Sequence, residues 1–278
     1  MNLKIREHDF GWGKRTYLMG ILNVTPDSFS DGGEFNNIES ALSQARSMLE
    51  HGVDIVDIGG QSTRPGAKEI PIQEELDRVI PIIKALRQAS SVPISIDTTR
   101  ANVASTAIAA GADIVNDISG APSDAEMLST VARLQVPIIL MHMRGTPQTM
   151  QQMTEYEDLI GEIYRFFESQ IAKAIAIGIQ RDRIIIDPGI GFAKNQQQNI
   201  ELLKRIKEFC NLEVPILIGT SRKSFIGHLL NKNSPKDRVW GTAATCCAAI
   251  ANGADILRVH DVAEMSDVIK VADAIWRN

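Results

Sequence analysis

The sequence predicts an α/β protein, a single (β/α)8 TIM barrel spanning residues 1–278, with a short N-terminal extension closing the bottom. Three observations predict it. Apolar runs of strand length alternate eight times with segments of helical periodicity. The length of 278 residues suits one such barrel, which takes about 250. Every apolar run also ends in polar or charged residues, as expected where the loops after the strands converge on one mouth.

In chain order, strands are predicted at 18–23, 53–58, 93–97, 113–116, 136–142, 184–187, 216–219 and 256–260. The first is typical: Leu18, Met19, Gly20, Ile21 and Leu22 form an apolar run that stops at Asn23 and opens into a polar loop closed by Gly32 and Gly33. Helices are predicted at 38–51, 72–90, 102–110, 125–134, 156–177, 197–209, 237–252 and 262–276. Gly52, Gly111, Gly178 and Gly253 each stand just past a helical segment and shortly before the next strand, where a left-handed residue ends a helix. The residues before Leu18 carry a Gly11-Trp12-Gly13 turn, read as part of a hairpin, and 144–155 reads as a loop on the active face. No linker or domain boundary is visible in the pattern.

Composition narrows the partners. A core built mainly from Ile, Val, Leu and Ala suits parallel strands covered on both faces. The formal charge of −5, with no run of Lys or Arg, argues against nucleic acid or an anionic membrane surface. Cys210, Cys246 and Cys247 are odd in number and two are adjacent, so they read as buried free thiols in a reducing compartment. The first ten residues carry Lys4, Arg6, Glu7, His8 and Asp9 and lack the apolar core of a signal peptide. No apolar run approaches the roughly 20 residues that span a bilayer. A cytoplasmic protein is the expectation.

The strand ends deliver two kinds of chemistry to one rim. Asp97, Asn116 and Asp187, with Met143 and Phe192 as apolar company, offer acceptors and amides suited to the edge of a polar heterocycle such as an aminopyrimidinone. Arg64, Arg222, Lys223, Arg258 and His260 offer the forked and point-charge donors that phosphate oxygens need. Asp117, Thr98 and Asp261 read more simply as helix N-caps. Gly189-Ile190-Gly191 lacks the third glycine of a dinucleotide fingerprint, since Lys194 stands in its place, so it reads as a tight turn and a nicotinamide cofactor is rejected.

These phrases resemble the dihydropteroate synthases of the pterin-binding family. Residues 20–33 resemble the first signature of that family and 57–67 the second. Ser95-Ile96-Asp97-Thr98, residues 116–120 and 140–147, Asp187-Pro188-Gly189-Ile190-Gly191-Phe192, residues 220–224 and Arg258-Val259-His260-Asp261 follow in the same order, so the resemblance covers nearly the whole chain. It implies a transferase that joins 6-hydroxymethyl-7,8-dihydropterin diphosphate to para-aminobenzoate, releasing pyrophosphate and forming 7,8-dihydropteroate for folate synthesis. It further implies that Asp97, Asn116, Met143, Asp187, Phe192 and Lys223 surround the pterin, and that Asn23, Thr63, Arg64, Arg258 and His260 receive the diphosphate. Asn23 would ligate Mg²⁺, while Phe29, Thr63, Pro65, Ser221 and Lys223 would border para-aminobenzoate, where sulfonamides compete. Asp97, Asp187, Lys223 and Arg258 carry the expected catalytic roles, by a dissociative substitution at the pterin methylene. A homodimer through the last helices, with Met265 and Trp276 exposed, is also implied.

One departure is Gln61, where Glu is commoner in the family; the exchange removes a charge beside the second loop. Two other readings share the ring pocket: a methyltetrahydrofolate methyltransferase, and a non-catalytic pterin-binding paralogue. The first has no use for a Thr63-Arg64-Pro65 loop, and the second would be expected to lose Asn23, Arg64 or Lys223, all of which are present.

Overall fold

The computed structural model describes residues 2–25 and 34–277, with only the backbone described for 34–37. An antiparallel hairpin of β1 (Asn2–Ile5) and β2 (His8–Gly11) precedes the strands of the main sheet. Those are β3 (Tyr17–Asn23), β4 (Ile55–Gly59), β5 (Ile94–Asp97), β6 (Ile114–Asp117), β7 (Ile138–Met141), β8 (Ile184–Asp187), β9 (Leu217–Ile218) and β10 (Ile256–Val259). Among the described residues these eight are all parallel, in the order β8-β7-β6-β5-β4-β3-β10-β9. The two edges meet through a parallel bridge between Ile186 and Ile216 and a hydrogen bond from the Ile186 N–H to the Pro215 carbonyl at 3.0 Å, which bring the sheet round to a barrel. Pro215 has no N–H to give, one reason the pairing at this seam is so short.

The helices follow the strands as the sequence predicts, within a few residues: α1 (Glu34–Glu50), α2 (Ile72–Ala89), α3 (Ala101–Ala110), α4 (Met127–Leu134), α5 (Leu159–Ala176), α6 (Gln196–Lys204), α8 (Val239–Ala251) and α9 (Val262–Trp276). A short α7 (Ser224–Leu230) was not expected. The segment predicted as one helix at 197–209 is α6 followed by a 3₁₀ turn over Ile206–Leu212. Gly52, Gly111, Gly178 and Gly253 all adopt positive φ, between 79° and 121°, as helix stops require. Asn195 and Gln198 close a reciprocal capping box at the start of α6.

Strand parity sorts the core. Outward residues such as Leu18, Leu22, Ile94 and Ile96 join the large apolar layer under the helices. Inward residues near the strand starts, among them Tyr17, Met19, Ile55 and Ile114, form a second cluster that includes Leu3, Ile5 and Phe10 of the hairpin. Moving toward the strand ends, the inward positions become polar: Asp57 and Ser95 stand on paired positions of β4 and β5, fully buried, followed by Asp97 and Asn116. The alternation that makes the lower barrel apolar therefore also aims the polar residues into the mouth.

Met265 and Cys210 lie elsewhere than the sequence suggests. Met265 is fully buried, because it shares the inward face of α9 with Val262, Ile269 and Ala272, whereas Trp276 is exposed as predicted. Of the three thiols, Cys246 is buried but Cys210, on the surface 3₁₀ turn, is exposed.

Candidate functional site

A cavity of about 380 Å³ opens at the carboxyl ends of the strands. It brings together most of the predicted residues: Asn23 from β3; Thr63, Arg64 and Pro65 from the loop after β4; Asn116 and Asp187 from β6 and β8; Phe192 from the turn beyond β8; and Ser221, Lys223, Arg258 and His260 from the last two units. Phe29, expected beside the second substrate, lies outside the described residues. Asp97 and Met143 are not on the cavity wall. Asp97 lies behind it, held by Arg258, and Met143 packs on the apolar cluster of Ile118, Met141, Met150 and Phe192 at its side.

Below the cavity, one guanidinium is shared by two carboxylates. Arg258 donates from Nε to Asp57 Oδ2 at 2.6 Å and from Nη2 to Asp97 Oδ2 at 2.7 Å. Asp57 also accepts from Asn116 Nδ2 at 3.2 Å. Burial raises the Asp97 carboxyl to about 7 against the pull of Arg258, with Asp57 adding to the rise. Asp57 stands in mid-strand, away from the polar strand ends by which the other site residues are visible in the sequence. Its inward parity with Ile55 and Gly59 was the available signal.

Asp187 accepts from the Gly189 N–H at 2.8 Å, and burial raises its carboxyl too, opposed by that hydrogen bond and by Lys223 and Arg258. The turn after it needs glycine at 189: φ is +74°, and a Cβ there would lie 2.1 Å from the His142 carbonyl oxygen. Beneath the turn, the buried Lys194 donates to Phe192 O at 3.0 Å and meets His142 Nδ1 at 3.1 Å. Burial pushes Lys194 down to about 7 and drives His142 well below the usual imidazole range. Lys223 lies with Nζ 4.1 Å from the centre of the Phe192 ring. Burial lowers it to about 8, with Asp187 pulling upward, so it is largely a cation at neutral pH.

The lysines give a pH prediction. The unfolded chain holds a proton on Lys194 up to about 10.5, while the folded chain releases it near 7. Between those values the unfolded state binds more protons, so stability rises with pH and is lost as pH falls toward 7. Lys223 acts with the same sign. Urea unfolding at pH 7 and pH 9.5 will show this gain, and Lys194→Met will shrink it; an unchanged gain in the variant contradicts the assignment to Lys194.

By residue type His260 belongs with the cationic group of the rim. Burial, then Arg222 and Arg258, push its imidazole down to about 3, so it is neutral. Its backbone N–H donates to Ser221 Oγ at 3.1 Å and its Nδ1 lies 3.0 Å from the same oxygen. Arg222, at φ +59°, forms a two-pronged pair with Asp261 and is thereby turned to structural use. Asp117 accepts from the Ser119 N–H and hydroxyl and the Ala121 N–H, and Thr98 accepts from the Arg100 N–H, so both close turns ahead of their helices instead of capping them, while Asp261 stands at the start of α9 with no side-chain cap bond, its carboxylate taken by Arg222. Among the described residues, no group of three or more His, Cys, Asp or Glu side chains is placed to hold a metal ion.

Residues 19–260 match the model of the family described as pterin binding enzyme. The dihydropteroate synthase of Synechocystis sp. is 61% identical over 268 residues, covering 96% of this chain and 93% of that protein. A Clostridium difficile dihydropteroate synthase solved in the presence of pteroic acid superposes with a TM-score of 0.92 at 47% identity, over 97% of this chain and all of that one. The Yersinia pestis dihydropteroate synthase in complex with a sulfonamide drug gives 0.93 at 44% identity, over 99% of each chain. With barrel, rim and sequence in agreement over nearly its whole length, the chain belongs to the pterin binding enzyme family.

Proposed function

We infer that the chain condenses 6-hydroxymethyl-7,8-dihydropterin diphosphate with para-aminobenzoate to give 7,8-dihydropteroate and pyrophosphate. The observation that carries this reading is one cavity that joins an amide-and-carboxylate floor, Asn116 and Asp187 with Asp97 behind, to a cationic wall of Arg64, Lys223 and Arg258. The relatives named above are dihydropteroate synthases, and the ligands of the two solved relatives, pteroic acid and a sulfonamide, support pterin, para-aminobenzoate and sulfonamide as ligands here. A methyltransferase acting on a folate ring leaves the Thr63-Arg64-Pro65 loop without a task.

In this reading Asp97, Asn116, Asp187 and Lys223 hold the pterin, flanked by Phe192 and Met143. Thr63, Arg64, Arg258 and His260 take the diphosphate, His260 as a neutral donor. Thr63, Pro65, Ser221 and Lys223 border para-aminobenzoate, together with Phe29. The arylamine nucleophile is already neutral, so the barrier lies in expelling pyrophosphate. Arg64 and Arg258 neutralise charge growing on the leaving group. Positive charge growing on the ring lowers the raised pKa values of Asp97 and Asp187, so both carboxylates favour the transition state over the ground state. This supports a dissociative substitution with a cation-like pterin. A secondary isotope effect at the methylene close to that of a tight, synchronous displacement will contradict it.

A single amide oxygen, Asn23 Oδ1, suits a hard cation that keeps waters and phosphate oxygens as its other ligands. Asn23 would hold Mg²⁺ brought with the diphosphate, and the ion would supply charge neutralisation on the phosphate oxygens. Kinetics with a sulfonamide test the pocket assignment. The drug is expected to raise the apparent KM for para-aminobenzoate and leave kcat unchanged; inhibition that excess para-aminobenzoate cannot relieve contradicts it.

We also propose that residues 1–278 form one pterin-binding domain, cytoplasmic, with the N-terminal hairpin closing the lower end of the barrel. Support for the last comes from Leu3, Ile5 and Phe10, which pack on the inward residues of the strand starts. Exposed Trp240, Val271, Ile275 and Trp276 on α8 and α9 support a homodimer through these helices. Sedimentation should give twice the 30.5 kDa chain mass, and Trp240→Glu should move it toward the monomer.

A further inference from the structure

Asp57 has no task in the reading above, yet its surroundings are unusual. It is fully buried in mid-strand, paired in register with Ile21 on one side and Ser95 on the other. One oxygen, Oδ2, accepts from Arg258 and from Asn116, while Oδ1 has no hydrogen-bond partner among the described residues. A carboxylate buried with one oxygen unmatched is costly, and an apolar side chain would suit this part of the core better. Such a cost points to what the residue does for its neighbours.

A carboxylate only accepts, so the Asn116 group facing Asp57 is the NH₂, and the amide cannot turn over without setting oxygen against oxygen. Asn116 also lines the cavity, and with one Nδ2 hydrogen held by Asp57 the fixed amide has its Oδ1 acceptor to offer a ligand. We propose that Asp57 is a positioning residue that sets specificity: by fixing the orientation of the Asn116 amide, it makes the pocket present an acceptor there and select a ring edge bearing an N–H donor. The same oxygen steadies Arg258 through Nε, so one mid-strand carboxylate aligns the ring reader with the cation beside it.

This inference rests on the pterin reading. The pyrimidinone edge of a pterin offers two donors, N3–H and the 2-amino group, and either could meet Asn116. The test uses 6-methylpterin and two analogues, each lacking one donor, the N3-methyl and 2-desamino compounds, with Kd measured by calorimetry on the full chain. The unsubstituted protein is expected to prefer 6-methylpterin over at least one analogue by roughly tenfold or more, because a buried acceptor is left unmatched. Asp57→Asn frees the Asn116 amide to turn, so the preference against that one analogue should fall several-fold while the other is kept.

In the Asn116→Ala background the same Asp57→Asn change should leave both preferences unaltered, since the group through which Asp57 acts is gone. Equal weakening of all three ligands by Asp57→Asn, or an identical effect in both backgrounds, overturns the proposal in favour of a merely structural Asp57. Because a preference is a ratio of affinities in one protein, partial misfolding cancels from it. Should Asp57→Asn not fold at all, Asn116→Asp keeps the test in reach. A carboxylate there offers acceptors whatever Asp57 does, and a preference that it inverts toward the donor-poor analogue overturns the proposal. Failure of the unsubstituted protein to bind 6-methylpterin overturns the pterin reading and this inference with it; binding without the expected change in preference overturns the inference alone.

Discussion

Arg258→Met is expected to lower kcat/KM by about 10²–10³-fold and to destabilise the fold by about 3–5 kcal/mol. The two losses have one origin. Arg258 faces Asp57 at 2.6 Å and Asp97 at 2.7 Å, and both carboxylates are buried. Removing the guanidinium strands two charges that were compensated together, at the same time as it removes a cation from the wall assigned to the diphosphate. The stability loss carries a pH signature. Without Arg258 the folded-state pKa of Asp97, already raised, rises further, and a raised carboxyl loses stability as pH increases through it. Denaturant midpoints should therefore fall more at pH 8 than at pH 5. Arg258→Lys should recover part of the stability and little of the rate, since an ammonium cannot bridge two carboxylates with the fork of a guanidinium. A Met variant as stable as the parent at pH 8 contradicts the shared-cation geometry.

Lys223→Met is expected to cost a similar factor in kcat/KM, about 10²–10³, with little change in stability. Lys223 lies against Gly191 and over the Phe192 ring, where its ammonium is partly desolvated. Methionine occupies the same track, keeps contact with the aromatic ring through sulfur and removes the cost of burying a charge. Unfolding should shift by less than about 1 kcal/mol in either direction. Activity loss with an intact fold separates Lys223 from Arg258, whose loss damages both. A Lys223→Met protein that retains full turnover contradicts its place beside the pterin.

The contrast between these two residues shows how much was legible in the chain. All eight barrel strands were predicted within a few residues, because buried parallel strands are continuous apolar runs bounded by abrupt polar ends. The residues of the rim were visible for the same reason: Asn23, Asn116, Asp187 and Arg258 all sit where a run stops or nearly stops. What the sequence did not show is their pairing. Arg258 and Asp57 stand 201 residues apart and meet only through closure of the barrel. His260 looks cationic as one of several basic residues, but burial at the rim, with Arg222 and Arg258 adding to it, keeps it neutral.

Smaller misses have similarly local causes. Helix α7 spans only seven residues, too few for a periodic signal, and Lys223 sits at its start rather than in an open loop. Met265 fell into the inward phase of α9, at three- and four-residue spacings from Val262 and Ile269, a pattern that counts against exposure. Asp57 breaks the apolar run of β4, and a carboxylate in the inward phase of a buried strand is a stronger signal than one at its end, where caps are common.

The activity inferred for the chain is one reaction. Incubating the purified chain with 6-hydroxymethyl-7,8-dihydropterin diphosphate, para-aminobenzoate and Mg²⁺, and quantifying both products by chromatography and a pyrophosphate assay, tests it directly. The prediction is equal amounts of 7,8-dihydropteroate and pyrophosphate, with product formation abolished by omitting para-aminobenzoate. Absence of dihydropteroate under these conditions, with the protein folded and the diphosphate intact, contradicts the assignment.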